Sequence, residues 1–148
     1  MNVRLAERAD GAALARVHAE AFEAPWPEAD IRRFATDRGG FALLAEDAGA
    51  LAGFILCRVI AGEAEVLTLA VRPARRRRGA ARALVQAAMA LAGRTAGAMF
   101  LEVAADNPGA IALYDAAGFA PVGRRTGYYA RAGARAVDAI VMRRRLNT

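Results

Sequence analysis

A strand, a tight basic turn and a helix follow one another in the middle of the chain, and this succession most constrains the fold. Residues 65–71 form a short strand that ends before Pro73, and four consecutive arginines, residues 75–78, lead to Gly79. Residues 80–91 then carry large apolar side chains at helical spacing. The free backbone N–H groups at the start of such a helix, beside permanent positive charge, form an anion site that suits a pyrophosphate.

Charge alone leaves three interpretations of this segment open: a phosphate site, a solvated basic turn and a nucleic-acid patch. The chain carries 21 basic residues, all of them arginine, and 15 acidic residues, and the net charge of +6 favours anionic partners. Neither a P-loop pattern nor a G-x-G-x-x-G dinucleotide fingerprint is present. With one Cys and one His, the chain forms neither an internal disulfide nor a Cys/His zinc site, and no metal is expected.

The length and the order of elements predict one α/β domain over residues 1–148. Its sheet is expected to be of mixed, mostly antiparallel direction, with about seven strands flanked by about four helices. Asp10 is expected to cap the first helix, and Asn107 with Pro108 to start the fourth. The predicted strands are residues 3–8, 41–46, 51–60, 65–71, 99–104, 119–129 and 135–143. The predicted helices are residues 11–22, 28–37, 80–91 and 108–117.

The distribution of charge also bears on where the protein works. The longest stretch without a charged side chain, residues 83–93, spans 11 residues, whereas a membrane-spanning helix needs about 20. The first seven residues carry no apolar run after their charge, so no secretory signal is predicted. A cytoplasmic protein with no membrane partner is therefore expected.

Three polar residues follow the basic turn at spacings that suit proton transfer. Glu102 lies within an apolar strand, where it is either a general base or the partner of an arginine, and its position alone favours the ion pair. Asn107 and Tyr114 are two helical turns apart and able to face one cleft; the alternatives are a helix cap and a core aromatic. A tyrosine, with an ordinary pKa near 10, is suited to protonate a departing thiolate. His18 and Cys57 are interpreted as packing residues.

The basic turn resembles a signature of the GNAT N-acetyltransferase superfamily. Residues 76–81 fit the pattern Q/R-x-x-G-x-G/A, with arginine in place of the commoner glutamine and alanine in place of the second glycine. Residues 101–119 resemble the branch of bacterial ribosomal-protein-alanine N-acetyltransferases, whose pattern runs L-E-V, Asn, A-x-x-L-Y and G-F. Residues 125–129 and 138–142 continue it as R-x-x-Y-Y and D-A-x-x-M, and residues 22–26 resemble its F-x-x-P/W segment. The resemblance covers about residues 3–145.

This resemblance implies an acetyl-CoA-dependent N-acetyltransferase that needs no metal. It implies that Glu102 is the general base and Tyr114 the general acid. It also implies a set of acetyl-CoA contacts: Leu69, Ala70, Val71, Arg76, Arg77, Arg78, Gly79, Ala80, Ala81, Arg82 and Asn107. Three aromatic residues are expected to line the entrance for the acceptor: Trp26, Tyr128 and Tyr129.

The acceptor implied by the resemblance is the N-terminal alanine α-amine of a small-subunit ribosomal protein. Two alternatives remain open: an acetyltransferase for a small-molecule amine or a protein lysine, and an Arg-rich nucleic-acid-binding module without catalysis. The register of Glu102, Asn107 and Tyr114 favours an enzyme, so no specific nucleic acid is expected. Val137 stands where the branch usually carries glutamate, and this loss of a charge bears on the recognition of a cationic peptide.

Overall fold

The computed structural model describes residues 1–146. In that part of the chain, seven strands form one sheet and four α-helices cover it, which confirms the predicted fold. The strands are β1 (Asn2–Leu5), β2 (Gly40–Asp47), β3 (Ala50–Ile60), β4 (Glu63–Val71), β5 (Ala98–Ala104), β6 (Ala120–Tyr129) and β7 (Val137–Arg145). The helices are α1 (Gly11–Ala21), α2 (Glu28–Thr36), α3 (Ala80–Ala92) and α4 (Pro108–Ala116). Within residues 1–146, no helix is both long and apolar enough to cross a bilayer.

The strands lie in the order β1-β2-β3-β4-β5-β7-β6. The β4–β5 pair is parallel and the other five pairs are antiparallel, so the mixed, mostly antiparallel direction is confirmed. The predicted boundaries lie within two residues of the observed ones, except at the end of the first strand.

The prediction was wrong at residues 6–10. Strand β1 ends at Leu5 rather than Arg8, because residues 8–10 form a short 3-10 turn with Glu7 at its N-cap. A carboxylate oxygen of Asp10 accepts the Glu7 N–H at 2.6 Å, and Arg4 holds the same carboxylate at 3.0 and 3.1 Å. Asp10 therefore caps the 3-10 turn, and its side chain makes no capping hydrogen bond to α1.

The sheet separates two hydrophobic cores, because successive side chains of a strand point to opposite faces. On one face, Leu43 and Ala45 of β2 belong to a core that includes the buried side of α3 and Tyr114 of α4. On the other face, Ala42 and Leu44 pack with the buried residues of α1 and α2.

A β-bulge at Leu67 changes which side chains of β4 face each core. Leu56 of β3 lies opposite Thr68, and Cys57 lies opposite Val66, so Leu67 is an extra residue. A bulge re-aims the side chains that follow it. Leu69 and Val71 consequently join the α3 face, whereas Ala70 joins the core beneath α1 and α2, and Thr68 contacts His18 of α1.

Strands β4 and β5 pair over a short distance and then separate. Their parallel register covers residues 63–65 against residues 98–100. Beyond it, β4 remains paired with β3 as far as Val71, and β5 remains paired with β7 as far as Ala104. The facing edges of residues 66–71 and 101–104 thus have backbone N–H and C=O groups with no strand between them. A ligand is able to enter the sheet at this opening.

Replacement of Leu84 tests the core between α3 and the sheet. Leu84 is fully buried, so Leu84→Ala is expected to lower the free energy of unfolding by about 2–5 kcal/mol in urea denaturation. Gln86→Ala on the exposed side of the same helix is the control and is expected to stay within about 0.5 kcal/mol. Equal losses in the two variants would show that this face of α3 is not packed as described.

Candidate active site

A cavity of about 770 Å³ lies between the N-terminal ends of α3 and α4 and the end of β4. Nine of the residues predicted to contact acetyl-CoA line it: Leu69, Val71, Arg76, Arg77, Gly79, Ala80, Ala81, Arg82 and Asn107. Sequence analysis missed other lining residues, among them Phe22, Arg75 and Leu113. Its volume lies in the range of small-molecule sites.

Two residues of the predicted set lie elsewhere. Ala70 is 1% exposed, and its side chain packs in the core beneath α1 and α2 because of the bulge at Leu67. Arg78 does not line the cavity; its Nη1 lies 3.3 Å from Oδ2 of Asp47. The side chains of these two residues therefore do not contribute to the cavity surface.

The start of α3 offers free hydrogen-bond donors to the cavity. The N–H of Ala83 makes the first intrahelical bond, to the carbonyl oxygen of Gly79 at 3.0 Å, so the preceding N–H groups of the helix have no acceptor within it. Gly79 adopts φ +87° at the N-cap and supplies no capping side chain. Arg77 is also left-handed, with φ +62°. Loops with such residues turn successive N–H groups toward one point and bind anions.

The basic run is divided between the cavity and the surface. Arg75, Arg76 and Arg77 line the cavity, and within residues 1–146 none of them forms an ion pair with a carboxylate. The Nε–H of Arg76 donates to the carbonyl oxygen of Val71 at 3.3 Å, which orients that side chain along the end of β4. Positive charge around a cavity suits a small phosphorylated ligand better than an extended nucleic-acid backbone.

Asn107 fits both of its predicted interpretations. Its Oδ1 accepts the N–H of Ala110 at 3.1 Å and so caps α4, and Pro108 occupies the first helical position. Asn107 also lines the cavity, opposite the start of α3. Two helix N-termini therefore border the same cavity, and their partial positive charges add to that of the arginines.

Glu102 forms the ion pair that its position favoured. Its side chain is 24% exposed, and Oε1 lies 2.9 Å from Nε of Arg125 on β6. Leu101 and Val103 point into the core under α3, so Glu102 lies on the opposite face of the sheet. The carboxylate is thus compensated by a cation and still accessible from solvent.

Tyr114 lies in the core on the α3 face of the sheet. Its ring is 6% exposed, and it packs edge-on against Phe119 with 5.7 Å between centroids. Burial raises the pKa of this phenol far above its usual range. The hydroxyl makes no hydrogen bond within the described residues, yet none of their buried side-chain polar atoms lacks a partner. The hydroxyl is therefore the part of the ring that reaches open space.

Tyr129 connects these two groups electrostatically. Burial and then the charge of Glu102 raise the pKa of Tyr129. Tyr129 in turn adds to the effects of burial and of Cys57 that raise the pKa of Tyr114. Tyr128 is 51% exposed and packs against Tyr129 at 5.0 Å. Tyr129 therefore lies within electrostatic range of both predicted proton-transfer residues.

The loop between β6 and β7 is tied to the loop before α4. Arg131 donates to both carboxylate oxygens of Asp106, at 2.9 and 2.8 Å, and lowers the pKa of that carboxyl. The guanidinium also lies 5.6 Å from the ring centre of Tyr129. This pair was not predicted, since nothing local in the sequence indicates that residues 25 positions apart meet.

Trp26 does not line the cavity. It packs against Phe34 of α2 and His18 of α1, at centroid distances of 5.6 and 5.5 Å. His18 is 1% exposed, as expected for a packing residue. Its hydrogen bonds to Thr68 and to the Trp26 backbone were not predicted.

The sequence model of the acetyltransferase (GNAT) family matches residues 12–119. The chain therefore belongs to that family. The chain is 37% identical to N-alpha-acetyltransferase RimI of Mycobacterium tuberculosis over 143 residues. The alignment covers 93% of this chain and 87% of that protein. The solved ribosomal-protein-S18-alanine N-acetyltransferase from Escherichia coli has a TM-score of 0.92 and 29% identity, covering 99% of this chain and 94% of that one. Arabidopsis thaliana NAA60, solved in complex with acetyl-CoA, has a TM-score of 0.85 and 20% identity over 99% of each chain, a likeness of fold alone.

These findings confirm the family and the fold that the sequence indicated. The protein is an N-acetyltransferase, since a family match over most of the chain and relatives of the same activity agree. The alternative of a nucleic-acid-binding module without catalysis is thereby set aside.

Proposed function

We propose that this enzyme transfers the acetyl group of acetyl-CoA to the N-terminal alanine α-amine of a small-subunit ribosomal protein. The cavity carries the proposal, because it combines free N–H groups, four arginines without an ion pair among residues 1–146 and an opening beside Glu102. The Escherichia coli relative is named for alanine of ribosomal protein S18, and the Mycobacterium tuberculosis relative for an N-alpha-amine. Both names support a protein N-terminus as the acceptor.

The chain's own groups hold acetyl-CoA along the cavity. The N–H groups at residues 80–82 and the arginines before them bind the pyrophosphate. Backbone groups at the end of β4 face the opening and pair with the amides of the pantetheine arm, as an added strand would. Ala70 takes part through its backbone, since its side chain is buried on the other face. Asn107 contributes from the start of α4.

Glu102 acts as the general base. A free α-amine has a pKa of about 7.7–8.0, so much of the acceptor arrives as an ammonium ion. That cation replaces the guanidinium of Arg125 on the carboxylate, and Glu102 then takes one proton. The nitrogen lone pair attacks the thioester carbonyl carbon and forms a tetrahedral intermediate.

Tyr114 acts as the general acid. When the intermediate breaks its C–S bond, the phenol donates its proton to the sulfur, and the products are an amide and the CoA thiol. The second proton of the attacking nitrogen returns to the phenolate through solvent. Burial raises the pKa of Tyr114, and it also raises that of the Cys57 thiol nearby. A thiolate at this place is therefore also disfavoured. Proton transfer from the phenol to the sulfur is thus opposed by less than the full pKa difference between an ordinary phenol and an ordinary thiol.

Replacement of Gly79 by glutamate tests the pyrophosphate site. Gly79→Glu places a negative charge among the free N–H groups, so the Kd for acetyl-CoA, measured by calorimetry, is expected to rise at least about tenfold. Gly49→Glu is the matched control: Gly49 has φ +81°, and nothing lies within 4 Å of a Cβ there or at Gly79. The control is expected to keep the wild-type Kd. Parallel increases in both variants would point to backbone strain and net charge alone.

Removal of either proton-transfer group tests the chemistry. Glu102→Gln and Tyr114→Phe are each expected to lower kcat by about 10²–10⁴-fold with an S18 N-terminal peptide, while the Kd for acetyl-CoA stays within about threefold. The hydroxyl of Tyr114 has no hydrogen bond to lose within residues 1–146, so Tyr114→Phe should unfold at the wild-type temperature.

Asp138→Asn is the control for Glu102→Gln. Asp138 is paired with Arg124 at 2.6 Å, and the exposed fractions of the two side chains, 24% and 59%, equal those of Glu102 and Arg125. An amide oxygen at this position is still able to accept the N–H of Gly127, which Asp138 holds at 2.8 Å. The kcat of Asp138→Asn is expected to stay within about threefold of wild type. Undiminished kcat in Glu102→Gln would remove that residue from the catalytic role.

An acceptor panel tests the substrate. Peptides that begin with alanine are expected to give the highest kcat/KM, with the same peptides blocked at the α-amine inactive, when release of the CoA thiol is followed. Spermidine and a peptide whose only free amine is a lysine side chain represent the alternative acceptors. A kcat/KM for either that equals or exceeds that of the alanine peptide would overturn the proposed acceptor while leaving the proposed chemistry in place.

A further inference from the structure

His18, the chain's one histidine, makes two hydrogen bonds from inside the protein. Nε2 lies 3.1 Å from the hydroxyl of Thr68 on β4, and Nδ1 accepts the backbone N–H of Trp26 at 3.1 Å. Because a backbone N–H can only donate, Nδ1 carries no proton, so Nε2 carries it and donates to Thr68. Both ring nitrogens are thereby satisfied in a side chain that is 1% exposed.

These contacts attach the connection between α1 and α2, residues 22–27, to the sheet. Phe22 at its start stacks on the imidazole with 4.3 Å between ring centres. Trp26 near its end is held through its N–H and packs beside the same ring at 5.5 Å. The segment is too short and irregular for a hydrogen-bond ladder of its own, so His18 fixes its distance from β4.

Segment 22–27 begins beside the cavity at the end of β4. Phe22 lines the cavity, and Thr68 directly precedes Leu69, which lines it as well. The pKa of Arg131 in the loop after β6 is raised first by its bond to Asp106 and more weakly by the charge of Glu23, so the two segments lie within electrostatic range of each other.

We propose that His18 is a positioning residue for the acceptor: by holding the Trp26 N–H, it fixes segment 22–27 as one wall of the acceptor entrance before any acceptor binds. This inference rests on the proposed function for the identity of the entrance. The hydrogen bond from the Trp26 N–H to Nδ1, rather than the bulk of the ring, holds segment 22–27 in place. Burial, which lowers the pKa of His18, keeps the ring in the neutral form that accepts this bond.

Two substitutions separate the bond from the packing. His18→Asn places an amide oxygen near the position of Nδ1 and keeps an acceptor for Trp26, whereas His18→Gln reaches toward Thr68 and loses that acceptor. His18→Gln is expected to raise the acceptor KM about three- to tenfold, with kcat and the KM for acetyl-CoA within about twofold. His18→Asn is expected to restore the acceptor KM to within about twofold of wild type. Equal increases in both variants, or a change in kcat instead of the acceptor KM, would overturn the inference.

Two readouts require no turnover, so they test the inference even if the proposed acceptor is wrong. Trp26 is the chain's one tryptophan, and its fluorescence is expected to shift to longer wavelength in His18→Gln but not in His18→Asn. In the wild-type chain, the Trp26 amide is expected to be protected from hydrogen exchange without acceptor, and an S18 peptide should add no protection. An amide that becomes protected only with the peptide would mean that the acceptor, not His18, orders this wall.

Discussion

The short parallel contact between β4 and β5 is the constraint on which the site depends. Three paired positions at residues 63–65 keep the sheet continuous, and the separation beyond them leaves two strand edges facing each other. The bulge at Leu67 then points Leu69 and Val71 toward α3. Glu102 lies at the edge of this separation, on the face of the sheet opposite α3. A fully paired sheet would have satisfied these backbone groups with a neighbouring strand and left none for a ligand.

The pairing of arginines with acids determines where the protein presents positive charge. Arg78, Arg125 and Arg131 each meet a carboxylate, so most of their charge is compensated locally. The uncompensated arginines of the basic run are those that line the cavity, residues 75–77. The net charge of +6 therefore does not show where the positive charge lies, whereas the separation of paired from unpaired arginines does. A ligand with several negative charges is best accommodated where three guanidinium groups and a helix N-terminus converge.

Local signals account for what the sequence predicted, and long-range register accounts for what it missed. Helical spacing, the cap at Asn107 and the glycine turn before α3 are local, so most element boundaries were predicted, whereas the cavity residues were predicted from the family resemblance. The side-chain direction of Ala70 could not be predicted, because the bulge at Leu67 leaves no mark in the residue pattern. The identity of the arginine that pairs with Glu102 could not be predicted either, since the position of Arg125 depends on register shifts in the β6–β7 pairing. The hydrogen bonds of His18 likewise join residues that are 50 and 8 positions away.

The two sides of the proposed acceptor entrance are held by interactions of different kinds. The loop after β6 is fixed by exposed ion pairs, such as that between Arg131 and Asp106, and exposed pairs contribute about 0–1 kcal/mol and weaken with salt. Segment 22–27 is fixed by a buried, neutral ring whose bonds salt does not screen, and a buried polar group that loses its partner costs about 1–3 kcal/mol. One side of the proposed entrance is thus held by contacts that salt screens, and the other side by buried contacts that salt does not screen.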